Sequence, residues 1–135
     1  MKKFKKLIAV VLTVILSLSV MSVVAFASTT DSLKRTDDGT WLYMENGEHN
    51  ANYTGLVKYY DTWYYVENGE LNWNYTGPTE YYGTTYYVIK GILDWDYSSL
   101  VYVDDVWHYV ENGVYSNDYT GLTKYYGTWY YVEDG

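Results

Sequence analysis

From residue 41 onward, apolar positions come in short runs broken by turn-forming residues. Trp63-Tyr64-Tyr65-Val66 is dense in strand formers. Asn68-Gly69 follows, two positions that tolerate positive φ and so favour a two-residue hairpin turn. Leu71, Trp73 and Tyr75 then alternate with Asn72, Asn74 and Thr76, the period-2 pattern of a strand with one apolar face. Thr76-Gly77 and Gly83-Thr84 punctuate the rest. No helical period occurs after residue 27. Pro78, the single proline, falls just after a turn, where a ladder donor can be spared.

This pattern recurs. Trp41, Trp63, Trp107 and Trp129 share a frame of 22 residues, with Thr85 at the vacant place. Gly47, Gly69, Gly91, Gly113 and Gly135 keep the same step, as do Tyr53, Tyr75, Tyr97 and Tyr119. A fixed period in this range predicts a stacked array. An isolated hairpin is marginal in water, whereas stacked hairpins bury one another's faces. The expected fold is therefore all-β, a solenoid of stacked β-hairpin repeats with a 22-residue period. It comprises four units and a half unit, WYYVEDG, over residues 41–135. The third unit is degenerate: Thr85 stands for Trp, Lys90 for Asn, and Ser98-Ser99 for Thr-Gly. It is expected to be the weakest link, with Trp95 compensating by packing.

The first residues read as a leader. Lys2, Lys3, Lys5 and Lys6 precede an apolar run from Leu7 to Val24, and Ala25-Phe26-Ala27 fits a small-x-small cleavage site. Residues 1–27 are thus expected to be a signal peptide. The alternative is an uncleaved anchor, since the run is just long enough to span a bilayer. Residues 28–40 are polar and read as a loose linker.

Charge narrows the partners. Without the leader, five basic residues face seventeen acidic ones, a net charge of −12. Such a surface disfavours nucleic acid, whose phosphates need Lys and Arg, and attracts cations. The chain has no cysteine, so no disulfide supports it. Both Phe residues lie in the leader, leaving 20 Tyr and 6 Trp as the aromatics. Leu, Ile and Val are sparse there, and the core is expected to be thin and mainly Tyr.

Catalytic chemistry finds little footing. Glu45, Glu67, Glu111 and Glu133 share a frame beside a turn, where a solvated face is the simpler role than paired glycosidase acids. Asp94, Asp96, Asp104 and Asp105 are the densest acidic group but fit no calcium loop. His49 and His108 fall in different frames. No phosphate loop, dinucleotide motif or other cofactor signature is present, and a catalytic centre is not expected. The Trp column has two readings: rings that present a face to a cation or a sugar, or rings that glue hairpins together. Tyr59-Tyr60, Tyr81-Tyr82 and Tyr125-Tyr126 lean toward packing, because neighbouring strand residues face opposite sides.

The motif WYYVENG…YTG, at Trp63–Gly77 and Trp107–Gly121, resembles the cell-wall-binding repeats of Gram-positive surface proteins, including choline-binding and glucan-binding modules. The resemblance covers residues 41–135. It implies a secreted or cell-surface, non-catalytic module whose aromatic cages between hairpins hold a choline headgroup or a sugar face. Its partner would be a cell-wall polymer, either a choline-bearing teichoic acid or a glycan. Nucleic acid is not implied, and a membrane is met only through the leader. By the resemblance, Trp41, Trp63, Trp107 and Trp129, with Tyr43, Tyr65, Tyr109 and Tyr131, are ligand-binding residues. The family carries Trp directly after Thr-Gly, where this chain has Leu56, Pro78, Leu100 and Leu122. Trp73 and Trp95 are the expected substitute walls. The alternative is a structural or adhesive repeat protein whose aromatics serve only as core.

Overall fold

The Asn-Gly pairs set the architecture. In a computed structural model, which describes residues 32–135, Asn46, Asn68 and Asn112 take φ near +50°, and the glycine after each is also left-handed. These turns join β2 (Trp41–Glu45) to β3 (Glu48–His49), β5 (Thr62–Glu67) to β6 (Glu70–Leu71), and β11 (Val106–Glu111) to β12 (Val114–Tyr115). In the degenerate unit, Lys90-Gly91 adopts the same turn, between β8 (Thr84–Ile89) and β9 (Ile92–Leu93). Residues 1–27, expected to be a signal peptide, lie outside the described residues.

A second set of antiparallel hairpins uses longer strands. β4 (Gly55–Tyr59) pairs β5, β7 (Gly77–Tyr81) pairs β8, and β10 (Ser99–Val103) pairs β11. β13 (Gly121–Tyr125) pairs β14 (Thr128–Val132) as a separate two-stranded sheet. The other strands form one open sheet of twelve. Pro78 sits in β7, which pairs only with β8, so the missing N–H falls on an edge. No helix occurs among the described residues.

Each joint between hairpins repeats the same bonds. The Tyr43 N–H donates to the Gly69 carbonyl at 2.8 Å, and the Gly69 N–H donates to the Tyr53 carbonyl at 2.8 Å. The equivalent pairs are Tyr65–Gly91–Tyr75, Tyr87–Gly113–Tyr97 and Tyr109–Gly135–Tyr119. The Thr of the Thr-Gly step caps the next turn. Thr54, Thr76 and Thr120 accept from the N–H groups of Asn68, Lys90 and Asp134, and Ser98 does so for Asn112 at 2.8 Å. The Ser-for-Thr change in the third unit therefore keeps the bond.

The core departs from expectation. It is an aliphatic column, not a tyrosine one: Val66, Val88 and Val110 are fully buried and Val132 nearly so, alongside Leu56, Leu93 and Leu100. Tyr65 and Tyr109 join it, while most other tyrosines form a half-buried collar around it. The branched aliphatics were under-read because one per strand suffices when each strand pair is thin. The stretch read as a loose linker also contains structure. β1 (Leu33–Arg35) pairs β2, and Leu33 packs against Val57, Val66 and Leu71. Three residues with one apolar side chain give no period to read.

Candidate ligand-binding site

The tyrosine preceding each Thr-Gly step is fixed at both ends. The Tyr53 hydroxyl donates to the Leu56 carbonyl at 2.6 Å, and its ring lies 4.3 Å from that of Tyr43. Tyr75, Tyr97 and Tyr119 donate in the same way to Pro78, Leu100 and Leu122. Their rings face Tyr65, Tyr87 and Tyr109 at 3.7, 5.4 and 3.8 Å. Each joint thus carries a pair of rings as a floor.

Over two of these floors stands a tyrosine-bearing turn. Tyr82 and Tyr126 occupy the first position of two-residue turns, with φ of 48° and 45°, and each packs edge-on against its neighbour, Tyr81 or Tyr125, at 4.6 Å. The turns place both rings of each pair on one side, although strand alternation would have parted them. Tyr43, Tyr53, Tyr81 and Tyr82 line one cleft of about 570 Å³, with Trp63 and Glu45 at its margin. Tyr87, Tyr97, Tyr125 and Tyr126 line another of about 500 Å³. Tyr53, Tyr81, Tyr82, Tyr87, Tyr97, Tyr125 and Tyr126 were not among the binding residues expected from the sequence. The signal that identifies the turns is Tyr-Gly-Thr between two strand runs.

The sequence-expected residues divide. Tyr43 and Trp63 face the first cleft. Trp107 and Tyr131 line a hollow of about 350 Å³ with Tyr125 and Tyr130. Trp41 packs edge-on against Tyr59 at 5.5 Å. Trp73 and Trp95 are half-exposed, edge-on to Tyr64 at 5.9 Å and Tyr86 at 5.8 Å. Trp129 is exposed, with the Lys124 ammonium 6.0 Å from its ring centre. Tyr65 and Tyr109 are only 7 % and 8 % exposed, each with a ring face covered by its stacking partner. Among the described residues, no three His, Asp or Glu side chains converge as a metal site would require.

Burial, with help from the neighbouring phenols and Glu45, pushes the Tyr53 hydroxyl up to about 12, and burial does the same at Tyr115. The unfolded chain ionises near the ordinary value of 10.0. Stability from the protonated phenols is therefore complete below pH 10 and is lost as pH rises toward 12. Melting temperature is expected to fall across that window, together with loss of the Tyr53–Leu56 bond. A flat melting temperature from pH 10 to 12 would contradict it.

Repeated β-hairpins that carry half-exposed aromatic rings define the protein as a repeat-built binding module. Residues 52–72, 74–94, 96–114 and 118–135 match the choline-binding repeat, and the chain belongs to that family. No curated protein matches it.

Proposed function

We propose that the chain is a secreted, non-catalytic module that attaches to a cell-wall polymer, a choline-bearing teichoic acid or a glycan, through aromatic sites between stacked hairpins. The observation that carries this reading is the exposure of ring faces at the joints of a choline-binding repeat array. Tyr and Trp faces attract quaternary ammonium by cation–π contact and stack on sugars. The residues that would meet ligand are Tyr43, Trp63, Trp73, Trp95, Trp107, Trp129 and Tyr131 from the sequence, joined by the cleft walls Tyr53, Tyr81, Tyr82, Tyr87, Tyr97, Tyr125 and Tyr126. Trp41 borders them. Tyr65 and Tyr109 act from beneath, by fixing Tyr75 and Tyr119.

The same reading takes residues 1–27 as an export leader and the array from Trp41 as a solenoid with a 22-residue step. Recurrence of the Tyr–Gly–Tyr backbone bonds at that step supports it. A structural or adhesive role, with aromatics as core alone, draws on the stacked and buried Tyr65 and Tyr109. The half-exposed Trp73, Trp95 and Trp107 weigh against it.

The test is co-sedimentation of the purified protein with Gram-positive cell walls, with and without free choline. Pelleting reversed by choline is expected. Pelleting indifferent to choline would assign a glycan instead, and no pelleting by folded protein would overturn the attachment role.

A further inference from the structure

The Asx-Gly pairs of the chain are Asp38-Gly39, Asn46-Gly47, Asn68-Gly69, Asn112-Gly113 and Asp134-Gly135. In all but one, the glycine N–H is donated to a backbone carbonyl. Gly39 donates to Thr36 at 3.0 Å, Gly69 to Tyr53 and Gly113 to Tyr97 at 2.8 Å, and Gly135 to Tyr119 at 2.9 Å. The Gly47 N–H meets no acceptor among the described residues. Gly69 and Gly113 are buried, whereas Asn46 and Gly47 are both exposed. A Cβ at Gly69 or Gly113 would meet the Asn50 or Asp94 carbonyl oxygen at 2.5 or 2.7 Å, and one at Gly47 would meet nothing within 4 Å. The asparagine N–H follows the same division. Asn68 and Asn112 donate to the Thr54 and Ser98 hydroxyls. Ser32, one period before Thr54, donates instead to the Lys58 carbonyl, and Asn46 has no acceptor among the described residues.

These contacts govern a reaction open to any asparagine that precedes glycine. The glycine nitrogen, its proton taken up by base, attacks the asparagine Cγ, and a C–N bond forms. The side-chain nitrogen leaves as ammonia, taking a proton from water, and a cyclic imide remains. Water then opens the imide at either carbonyl, giving aspartate or isoaspartate. The balance is amide plus water to carboxylate plus ammonium, with no oxidant or reductant. Glycine lacks the Cβ that would obstruct ring closure and permits the backbone rotation it requires. A nitrogen whose N–H is buried against a carbonyl keeps its proton, and the joint opposes that rotation.

We propose that Asn46 is a self-modification site, where the exposed Asn46-Gly47 turn loses ammonia and becomes aspartate or isoaspartate, while the joint hydrogen bonds protect Asn68 and Asn112 from the same reaction. Asn46 and Asn68 both lie in Glu-Asn-Gly-Glu, so the flanking residues do not separate them. The joint does. Stripping a buried group of its hydrogen bond slows the protected turns by about ten- to hundredfold. Isoaspartate adds a backbone carbon to a two-residue turn, and the pairs it loosens are Met44–His49 and Glu45–Glu48. The site does not depend on what the array binds.

The experiment is timed incubation of the purified protein in mildly alkaline buffer, folded and in concentrated urea, followed by peptide mass spectrometry. Peptides carrying Asn46, Asn68 and Asn112 are scored for amide-to-acid conversion and for isoaspartate. In the folded protein, Asn46 should convert about ten- to hundredfold faster than Asn68 and Asn112. In urea, Asn46 and Asn68 should react alike. Ion exchange should show an acidic species growing with time in the folded parent and absent from Asn46→Gln, with a melt to verify that variant's fold. A folded protein in which Asn46 converts no faster than Asn68 would overturn the proposal. So would an Asn46 that keeps its lead over Asn68 in urea, because the difference would then belong to the sequence and not to the joint.

Discussion

Gly69→Ala is expected to destabilise the protein by about 2–5 kcal/mol, the sum of a left-handed penalty of about 1–2 kcal/mol and an overpacking cost of about 1–3 kcal/mol. Gly69 has φ +79°, where a side chain is strained. A Cβ there would also stand 2.5 Å from the Asn50 carbonyl oxygen and 2.6 Å from the Ala51 Cα, both backbone atoms that cannot swing aside. The same residue provides both backbone bonds of the first joint, so any shift that relieves the clash lengthens them. Gly47→Ala is the control. Its φ is +83° but nothing lies within 4 Å of the added carbon, so only the left-handed penalty of about 1–2 kcal/mol applies. Urea melts of both variants measure the difference. Equal losses would mean that the joint contributes nothing beyond the turn.

Leu56→Ala is expected to cost about 2–5 kcal/mol, because the removed side chain leaves a cavity in packed surroundings. Leu56 is 2 % exposed and shares a cluster with Tyr65, Val88 and Leu93. Leu122 occupies the same place in its repeat but is 62 % exposed, so Leu122→Ala should stay within about 0.5 kcal/mol of the parent. The pair separates a residue's place in the motif from its surroundings. Comparable losses for both would show that Leu122 is covered in solution. Because neighbouring hairpins stabilise one another, circular dichroism and tyrosine fluorescence should be followed together to detect stepwise melting.

Local chemistry made much of this molecule readable. Asn46-Gly47, Asn68-Gly69 and Asn112-Gly113 announce hairpins because both positions accept positive φ. Lys90-Gly91 completes the same turn with a residue that offers no such signal, held by the Thr76 hydroxyl on its N–H. The alternation around Trp73 and Tyr75 gave the strand-and-turn rhythm. It did not give the aliphatic column of Val66, Val88 and Val110, since each valine is a lone member among tyrosines. Nor did it give β1, which is recruited by the core and not by its own pattern.

The aromatic lining of the clefts was legible by residue type and less so by position. Aromatic columns at the joints were visible, and Tyr43 and Trp63 do border a cleft. Tyr82 and Tyr126 were read as strand residues that pack, on the opposite face from Tyr81 and Tyr125, whereas positive φ places each in a turn. The glycine following each relaxes the second half of the turn and lets the ring stand out. Which side of a hairpin a tyrosine occupies depends on that single backbone choice, which periodicity does not encode.

The recurring Tyr–Gly–Tyr bond pair bears on inheritance. Every joint uses the same backbone donors and acceptors and the same hydroxyl cap, so a unit copied within the gene would find its partner surfaces ready-made. A whole-unit duplication leaves the ladder intact, whereas a single-residue insertion turns every following side chain to the wrong face. Copies can then diverge at the exposed turn alone, exchanging tyrosine for aspartate as at position 104, without disturbing the joints on either side. Array length and the chemistry of the exposed turns are thereby free to vary independently between descendants of such a gene.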